Sequence, residues 1–178
     1  KQTIQSAQNQ AGGTGVQQTQ DMTSIVSDII VNTNTETGSK MIEELNNSST
    51  DTENDLSLQV ISAISVKDTT KLNTLSENNK EQIDTLTQSA VKNAGSSQES
   101  ADLIAKVVAN ASDDFANQII GEVTKNSIDE NQALSAKVMK SIVETTPDKV
   151  ENLSDENKDK LISQTIEAAK NQAEGTSS

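Results

Sequence analysis

The sequence repeats itself with a period of 78 residues. When the chain is shifted by 78 positions, residues 22–99 align with residues 100–177 without a gap, and 18 of the 78 pairs are identical. Composition alone predicts about six identities. Many of the recurring positions are aliphatic, either identical or exchanged for another aliphatic residue: Leu56/Leu134, Val60/Val138, Ile64/Ile142, Ile25/Leu103, Val26/Ile104, Ile29/Val107, Ile30/Val108, Met41/Ile119 and Ile83/Leu161. Apolar positions that recur while the others change are typical of two copies of one fold.

The two ends of the chain also resemble each other. Residues 2–15 match residues 164–177 at nine of 14 positions. We therefore interpret residues 1–15 as the last helix and linking segment of a preceding repeat, followed by whole repeats at 22–99 and 100–177. This organisation predicts part of a longer tandem array. Two alternatives stay open: a separate protein whose first helix resembles its last by coincidence, and head-to-tail assembly in which the front helix completes a neighbouring molecule.

Apolar residues recur with the spacing of an amphipathic helix in every segment, and no stretch alternates as a strand would. In the second repeat the spacing predicts helices near 99–111, 113–126, 130–145 and 155–172, with a short turn carrying Val150 and Leu153 after Pro147. The first repeat predicts helices near 22–33, 36–47, 52–66 and 77–93. Four such helices joined by short loops fold as a bundle or a turn of a solenoid. We predict an all-α fold of two tandem four-helix units.

Polar residues and glycines mark where these helices begin and end. Ser112, Ser76 and Ser154 are predicted N-caps, because a serine hydroxyl accepts a hydrogen bond from a free amide of the first turn. For the last helix we predict an inner face of Leu161, Ile162, Thr165, Ile166 and Ala169. Five of the seven glycines lie at or just after the end of a fourth helix, where glycine can adopt a left-handed conformation: Gly12, Gly13, Gly15, Gly95 and Gly175.

The composition removes most catalytic chemistry. The chain has no His, Cys, Trp, Tyr or Arg, and Phe115 is its single aromatic residue. It therefore has no imidazole base, no thiolate and no bidentate guanidinium for a phosphate. An enzyme would have to use Asp, Glu, Lys, Ser and Thr alone, so we expect a protein that is not an enzyme and has no cofactor.

The net charge of the chain indicates which partners are disfavoured. The formal net charge is −13, and all 14 cationic residues are lysines. Such a surface repels phosphate backbones and anionic lipid, which disfavours nucleic acid and membrane surfaces as partners. No apolar run approaches the roughly 18 residues of a membrane helix.

One acidic cluster has the composition of a metal site. Asp51, Glu53 and Asp55 alternate in the stretch STDTENDLS, as oxygen ligands do at the start of a calcium loop. The stretch lacks the central Gly and the twelfth-position Glu of such a loop, and the second repeat keeps only Asp129. The same pattern is what a helix N-terminus shows, since acidic side chains favour the positive end of the helix dipole. We expect the helix terminus and no metal.

Three further residues are candidates for a functional site: Lys80, Lys158 and Phe115. Lys80 and Lys158 recur at equivalent positions, but a reactive lysine needs burial beside polar groups, and we expect both to be solvated. Phe115 is interpreted as a core residue, since its counterpart is Thr37.

These observations favour a structural function. We expect spacer or stalk modules from a tandem-repeat bacterial surface protein, located outside the cell and contacting neighbouring repeats of the same array. Large repetitive adhesins look broadly like this, although the chain carries no motif specific to a family. The alternatives are a scaffold with a groove for a protein partner and a subunit of a head-to-tail filament. A binding groove would need an apolar strip beyond the core, and only Val31, Val66 and Leu86 lie off the main apolar stripes.

Overall fold

The computed structural model describes residues 16–47, 56–95, 97–126 and 133–175, and these ranges form ten helices and no strand. The predicted all-α fold is confirmed. The helices are α1 Val16–Asn32, α2 Thr35–Asn46, α3 Leu56–Lys67, α4 Thr69–Asn78, α5 Lys80–Asn93, α6 Gln98–Asn110, α7 Asp113–Asn126, α8 Ala133–Thr145, α9 Asp148–Glu151 and α10 Asp155–Gly175.

The chain divides into two compact units between Asn93 and Ala94. In the first unit α1 packs on α3, α2 packs on α5, and further contacts join α1 to α2 and α3 to α5. In the second unit α6 packs on α8, α7 packs on α10, and further contacts join α6 to α7 and α8 to α10. Both units therefore join the first helix to the third and the last helix to the second and third, but in the second unit the last helix packs mainly on the third.

The core of each unit consists of aliphatic side chains at matching positions. Pairs of residues 78 apart are buried on both sides, whether identical or exchanged: Val26/Ile104, Ile30/Val108, Met41/Ile119, Ile42/Ile120, Leu45/Val123, Leu56/Leu134, Val60/Val138, Ile64/Ile142, Leu75/Leu153 and Ile83/Leu161. Phe115 is 1% exposed, so its predicted place in the core is confirmed. Burial of these aliphatic groups is the main favourable term in each unit.

Helix termini follow the predicted capping with one exception. The Ser112 hydroxyl accepts a hydrogen bond from the Phe115 amide, and the Ser154 hydroxyl accepts one from the Asn157 amide. Ser76, in contrast, lies inside α4, and the last helix of the first unit begins later, at Lys80. The predicted Ser76 cap is therefore wrong.

The physical reason is that the connection after α3 is itself helical. The stretch Thr69–Asn78 forms a helix of 10 residues, capped by Asp68, whose carboxylate accepts from the Lys71 amide at 2.8 Å. Leu72 and Leu75, three positions apart on this helix, are both buried. In the second unit the corresponding connection holds only α9, of 4 residues, after Pro147.

Three small polar residues lie inside the cores. Ser27, Ser57 and Ser135 are fully buried. The Ser27 hydroxyl donates to a carbonyl of its own helix, that of Ser24, at 3.1 Å, and accepts from the Lys67 ammonium of α3 at 2.8 Å. The Ser135 hydroxyl donates to Gln164 of α10. These bonds therefore satisfy buried hydroxyls both within their own helix and through a neighbouring helix.

Two glycines provide a test in which substitution by alanine should have opposite effects. Gly38 is buried in α2; a Cβ built there would lie 3.4 Å from Leu75 Cδ2 and 3.7 Å from Ile30 Cγ2, and the matching residue is the buried Ala116. Gly38→Ala should raise the free energy of unfolding by about 1 kcal/mol, because alanine favours the helix. Gly95 has φ 59°, in the left-handed region that residues with a Cβ disfavour. Gly95→Ala should therefore lower the free energy of unfolding by about 1–2 kcal/mol. Urea denaturation followed by circular dichroism measures both, and a loss of stability in Gly38→Ala would contradict the packing described.

Candidate functional site

The acidic candidates lie outside the described residues. Asp51, Glu53 and Asp55 fall in the range 48–55, and Asp129 falls in the range 127–132. Within the described part of the chain, no group of three or more His, Cys, Asp or Glu side chains is placed to hold a metal ion.

The two matching lysines differ in exposure, since Lys80 is exposed and Lys158 is half-buried. Lys80 is exposed at the start of α5. The Lys158 ammonium donates to the Glu151 carbonyl at 3.2 Å and lies 3.9 Å from the Asp155 carboxylate, which is fully exposed. Neither ammonium is enclosed with a second functional group, so the structure does not bring these residues into a reactive site.

A different pair of lysines makes the same contact in both units. In the first unit the Lys71 ammonium donates to the carbonyl of Thr33, directly after α1. In the second unit the Lys149 ammonium donates at 2.8 Å to the carbonyl of Ala111, directly after α6. Both lysines thus neutralise the negative end of the first helix of their unit. The identity of Lys71 and Lys149 in the repeat alignment was the available signal, but nothing in the sequence identifies a backbone carbonyl as the partner.

A polar cluster joins α6 to α8. The Ser141 hydroxyl donates to Asp102 Oδ1 at 2.6 Å, and Gln98 Nε2 donates to the same oxygen at 2.8 Å and to Ser141 Oγ at 3.0 Å. The bonds from Ser141 and Gln98, with smaller contributions from Lys140 and Lys106, lower the pKa of Asp102 below its ordinary value of 3.8. A carboxylate with a lowered pKa is a weaker base.

This cluster suits a structural tie better than catalysis. A serine nucleophile needs a base to take its proton, and the pKa of Asp102 moves in the wrong direction for that role. Ser141 is also only 4% exposed, so a substrate would have little access to its hydroxyl. The arrangement holds the first helix of the second unit against the third.

Two amide side chains fix the start and middle of α10. Asn157 Nδ2 donates to the Asn117 carbonyl at 2.8 Å, and Asn117 Oδ1 accepts from the Ser154 amide at 2.7 Å. Gln164 Nε2 donates to the Thr124 carbonyl at 2.8 Å, and Gln164 Oε1 accepts from the Ser135 hydroxyl at 2.6 Å. These bonds set α10 against both α7 and α8.

An open groove lies between α8 and α10. It has a volume of about 410 Å³ and is lined mainly by small and apolar groups, among them Ala133, Ala136, Thr165, Ala168 and Ala169. Grooves of this size in proteins accept small ligands or the side chains of a partner helix.

The face of α10 beside this groove is exposed, contrary to prediction. Of the predicted inner face, Leu161 is buried and Thr165 is half-buried, but Ile162 is 40% exposed, Ile166 is 51% exposed and Ala169 is exposed. The apolar spacing correctly marked one side of the helix, but the second unit covers only part of that side. We call Ile162, Ile166 and Ala169 the α10 stripe.

Of the residues off the main stripes, Val66 is exposed and Val31 is half-buried, while the side chain of Leu86 lies outside what the structure describes. No helix in the described ranges has the length and apolarity needed to cross a membrane.

Removing the lysine contact should destabilise the second unit. Lys149→Met keeps the aliphatic stem but loses both the bond to the Ala111 carbonyl and the ion pair with the exposed Asp113 at 3.2 Å. We expect the free energy of unfolding to fall by about 1 kcal/mol, mainly from the carbonyl bond. Lys40→Met is the matched control, because Lys40 pairs with Glu36 on an exposed helix surface and such pairs contribute little. Equal effects of the two substitutions in urea denaturation would refute the capping role.

The Asp102 cluster should give a pH dependence. The pKa of Asp102 is lower in the folded chain than its ordinary 3.8, so its contribution to stability is present above that value. The contribution is lost as the pH falls below 3.8 through the folded pKa. Asp102→Asn should therefore lower stability at pH 6, and its difference from wild type should shrink towards pH 3. Denaturation between pH 6 and pH 3 measures this difference in stability. Ser141→Ala should show part of the same effect, because it removes the hydroxyl that donates to Asp102.

Comparisons with protein-family models, with curated proteins and with solved structures found no match to this chain. Its function is therefore inferred from its own residues and contacts.

Proposed function

We propose that the chain consists of repeated helical modules with a structural function, acting as a spacer or stalk in a longer tandem-repeat protein displayed on a bacterial surface. Each added module would extend the reach of whatever the array carries. The function is geometric and needs no bound ligand.

One observation carries the proposal: residues 78 positions apart are buried in the cores of both units. Ile42 and Ile120 illustrate it, since each is completely buried in the second helix of its unit. The same helix pairs pack in the two units, and Lys71 and Lys149 make the same contact. Tandem copies of one building block would produce this agreement, because a shared fold preserves core and capping positions while the surface changes.

The charge supports an extended arrangement of many modules. The chain has 27 acidic residues against 14 lysines, so successive modules in an array would repel one another. This repulsion acts over about 10 Å at 0.1 M salt.

The spacer proposal is tested by lengthening the chain. One, two and three copies of the whole chain fused in series should give a maximum dimension in small-angle X-ray scattering that grows in proportion to copy number. The samples should be dilute enough for each fusion to be monomeric by light scattering. A maximum dimension that stays nearly constant as copies are added would end the proposal.

A second function, a protein-binding scaffold, is favoured by the open groove between α8 and α10. Its apolar lining and the neighbouring α10 stripe provide the surface that an amphipathic helix needs.

A further inference from the structure

The last helices of the two units differ in how far they are covered. Four residues in α5 or just beyond its end are buried: Thr87, Ala90, Val91 and Ala94. The matching residues of α10 are Thr165, Ala168, Ala169 and Gln172, and each is half-buried or exposed. Leu161 is the one buried side chain among the described residues of α10. The surface that α5 buries in the first unit is thus exposed or half-buried on α10 in the second unit.

The third helices differ in the same way. Leu58 in α3 is 1% exposed, whereas its counterpart in α8 is the half-buried Ala136. A large side chain in the first unit is therefore replaced by a methyl group at the groove of the second. Compared with the matching surface of the first unit, the groove has smaller side chains and is more exposed. It therefore leaves room for atoms from outside the unit.

We propose that the groove between α8 and α10 binds residues 2–11 of a second copy of this chain. The bound segment would lie as a helix along the groove and the α10 stripe. Residues 2–11 precede Val16, where the described part of the structure begins.

The segment has the apolar pattern that the groove requires. Ile4, Ala7 and Ala11 are spaced three and four residues apart, which places them on one face of a helix. Ten helical residues extend about 15 Å, enough to follow the groove from Thr165 to Gln172, a rise of about 10 Å. Its small residues would allow the helix to approach α8 and α10 closely, and Ile4 supplies a large side chain for the space beside Ala136.

The charge of the segment also favours it over other parts of the chain. Two copies that each carry a net charge of −13 repel one another. Residues 1–15 contain no acidic residue, and their one charged side chain is Lys1. The one charged side chain among the residues that line the groove is Lys137. Residues 2–11 carry no charge, so their contact with the groove adds nothing to the repulsion between two acidic copies.

The proposed contact is heterologous, since the segment of one copy binds the groove of another. A contact of this kind leaves one groove and one segment unused at the ends of a dimer, and association continues as a chain or closes as a ring. The average mass should therefore rise steadily with concentration instead of stopping at a dimer.

The test measures the mass of the full chain by sedimentation velocity and light scattering from about 10 μM to about 1 mM, a range suited to weak self-association. The wild type should rise above its monomer mass of 18.9 kDa. A chain lacking residues 1–15 and the variant Ile166→Glu should each remain monomeric. Val66→Glu is the matched control, because it places the same charge at an exposed valine of the first unit and should associate like wild type.

Mixing gives the decisive result. The truncated chain keeps the binding surface and lacks the segment, whereas Ile166→Glu keeps the segment and has a charged residue in the α10 stripe beside the groove. The two together should form a complex of one molecule of each, although neither associates alone. A wild type that stays at 18.9 kDa throughout overturns the proposal. So does a truncated chain that associates as strongly as wild type, since another surface would then be the contact.

This inference does not rest on the spacer function. The spacer test measures the dimensions of covalently fused monomers, and this test measures association between separate chains. Either can fail while the other succeeds.

Discussion

The contact between the first and third helix of each unit is the interaction on which the rest of the structure depends. With Phe115 as the single aromatic residue, the buried core consists mainly of Ile, Leu and Val, with Ala and Met at most of the remaining positions. The buried Ser27, Ser57 and Ser135 add hydroxyl groups that must be hydrogen-bonded, and the Ser27 hydroxyl accepts from Lys67 of the third helix. The remaining helices complete the core around this pair.

Much of this fold could be predicted because aliphatic residues determine it. The helical spacing of Val60 and Ile64, repeated at Val138 and Ile142, identified both helices and their buried faces. The sequence predicts no helix between residues 66 and 77, although burial of Leu72 and Leu75 stabilises the helix Thr69–Asn78 there. A repeat alignment transfers the conformation of one copy to the other, and it fails where a substitution such as proline changes the local backbone.

The functional surface was harder to predict than the core. The spacing of Ile162 and Ile166 shows which side of α10 is apolar, but spacing does not show which neighbour covers that side. The Lys149 contact was missed for a related reason, since its acceptor is a backbone carbonyl of Ala111, which every residue type possesses. Both features depend on residues far apart in sequence. The acidic cluster at Asp51, Glu53 and Asp55 stays a prediction, because those residues lie outside the described ranges.

The sparse burial of α10 has a consequence for how the second unit opens. After Leu161, no described residue of this helix is buried, and its remaining attachment includes the bonds of Gln164 to Thr124 and Ser135. Local opening requires least energy where few apolar groups must be exposed to water. The amide protons from Thr165 onward should therefore exchange with solvent deuterium well before those of α6 and α8, and the last helix should separate from the unit while the other helices stay folded.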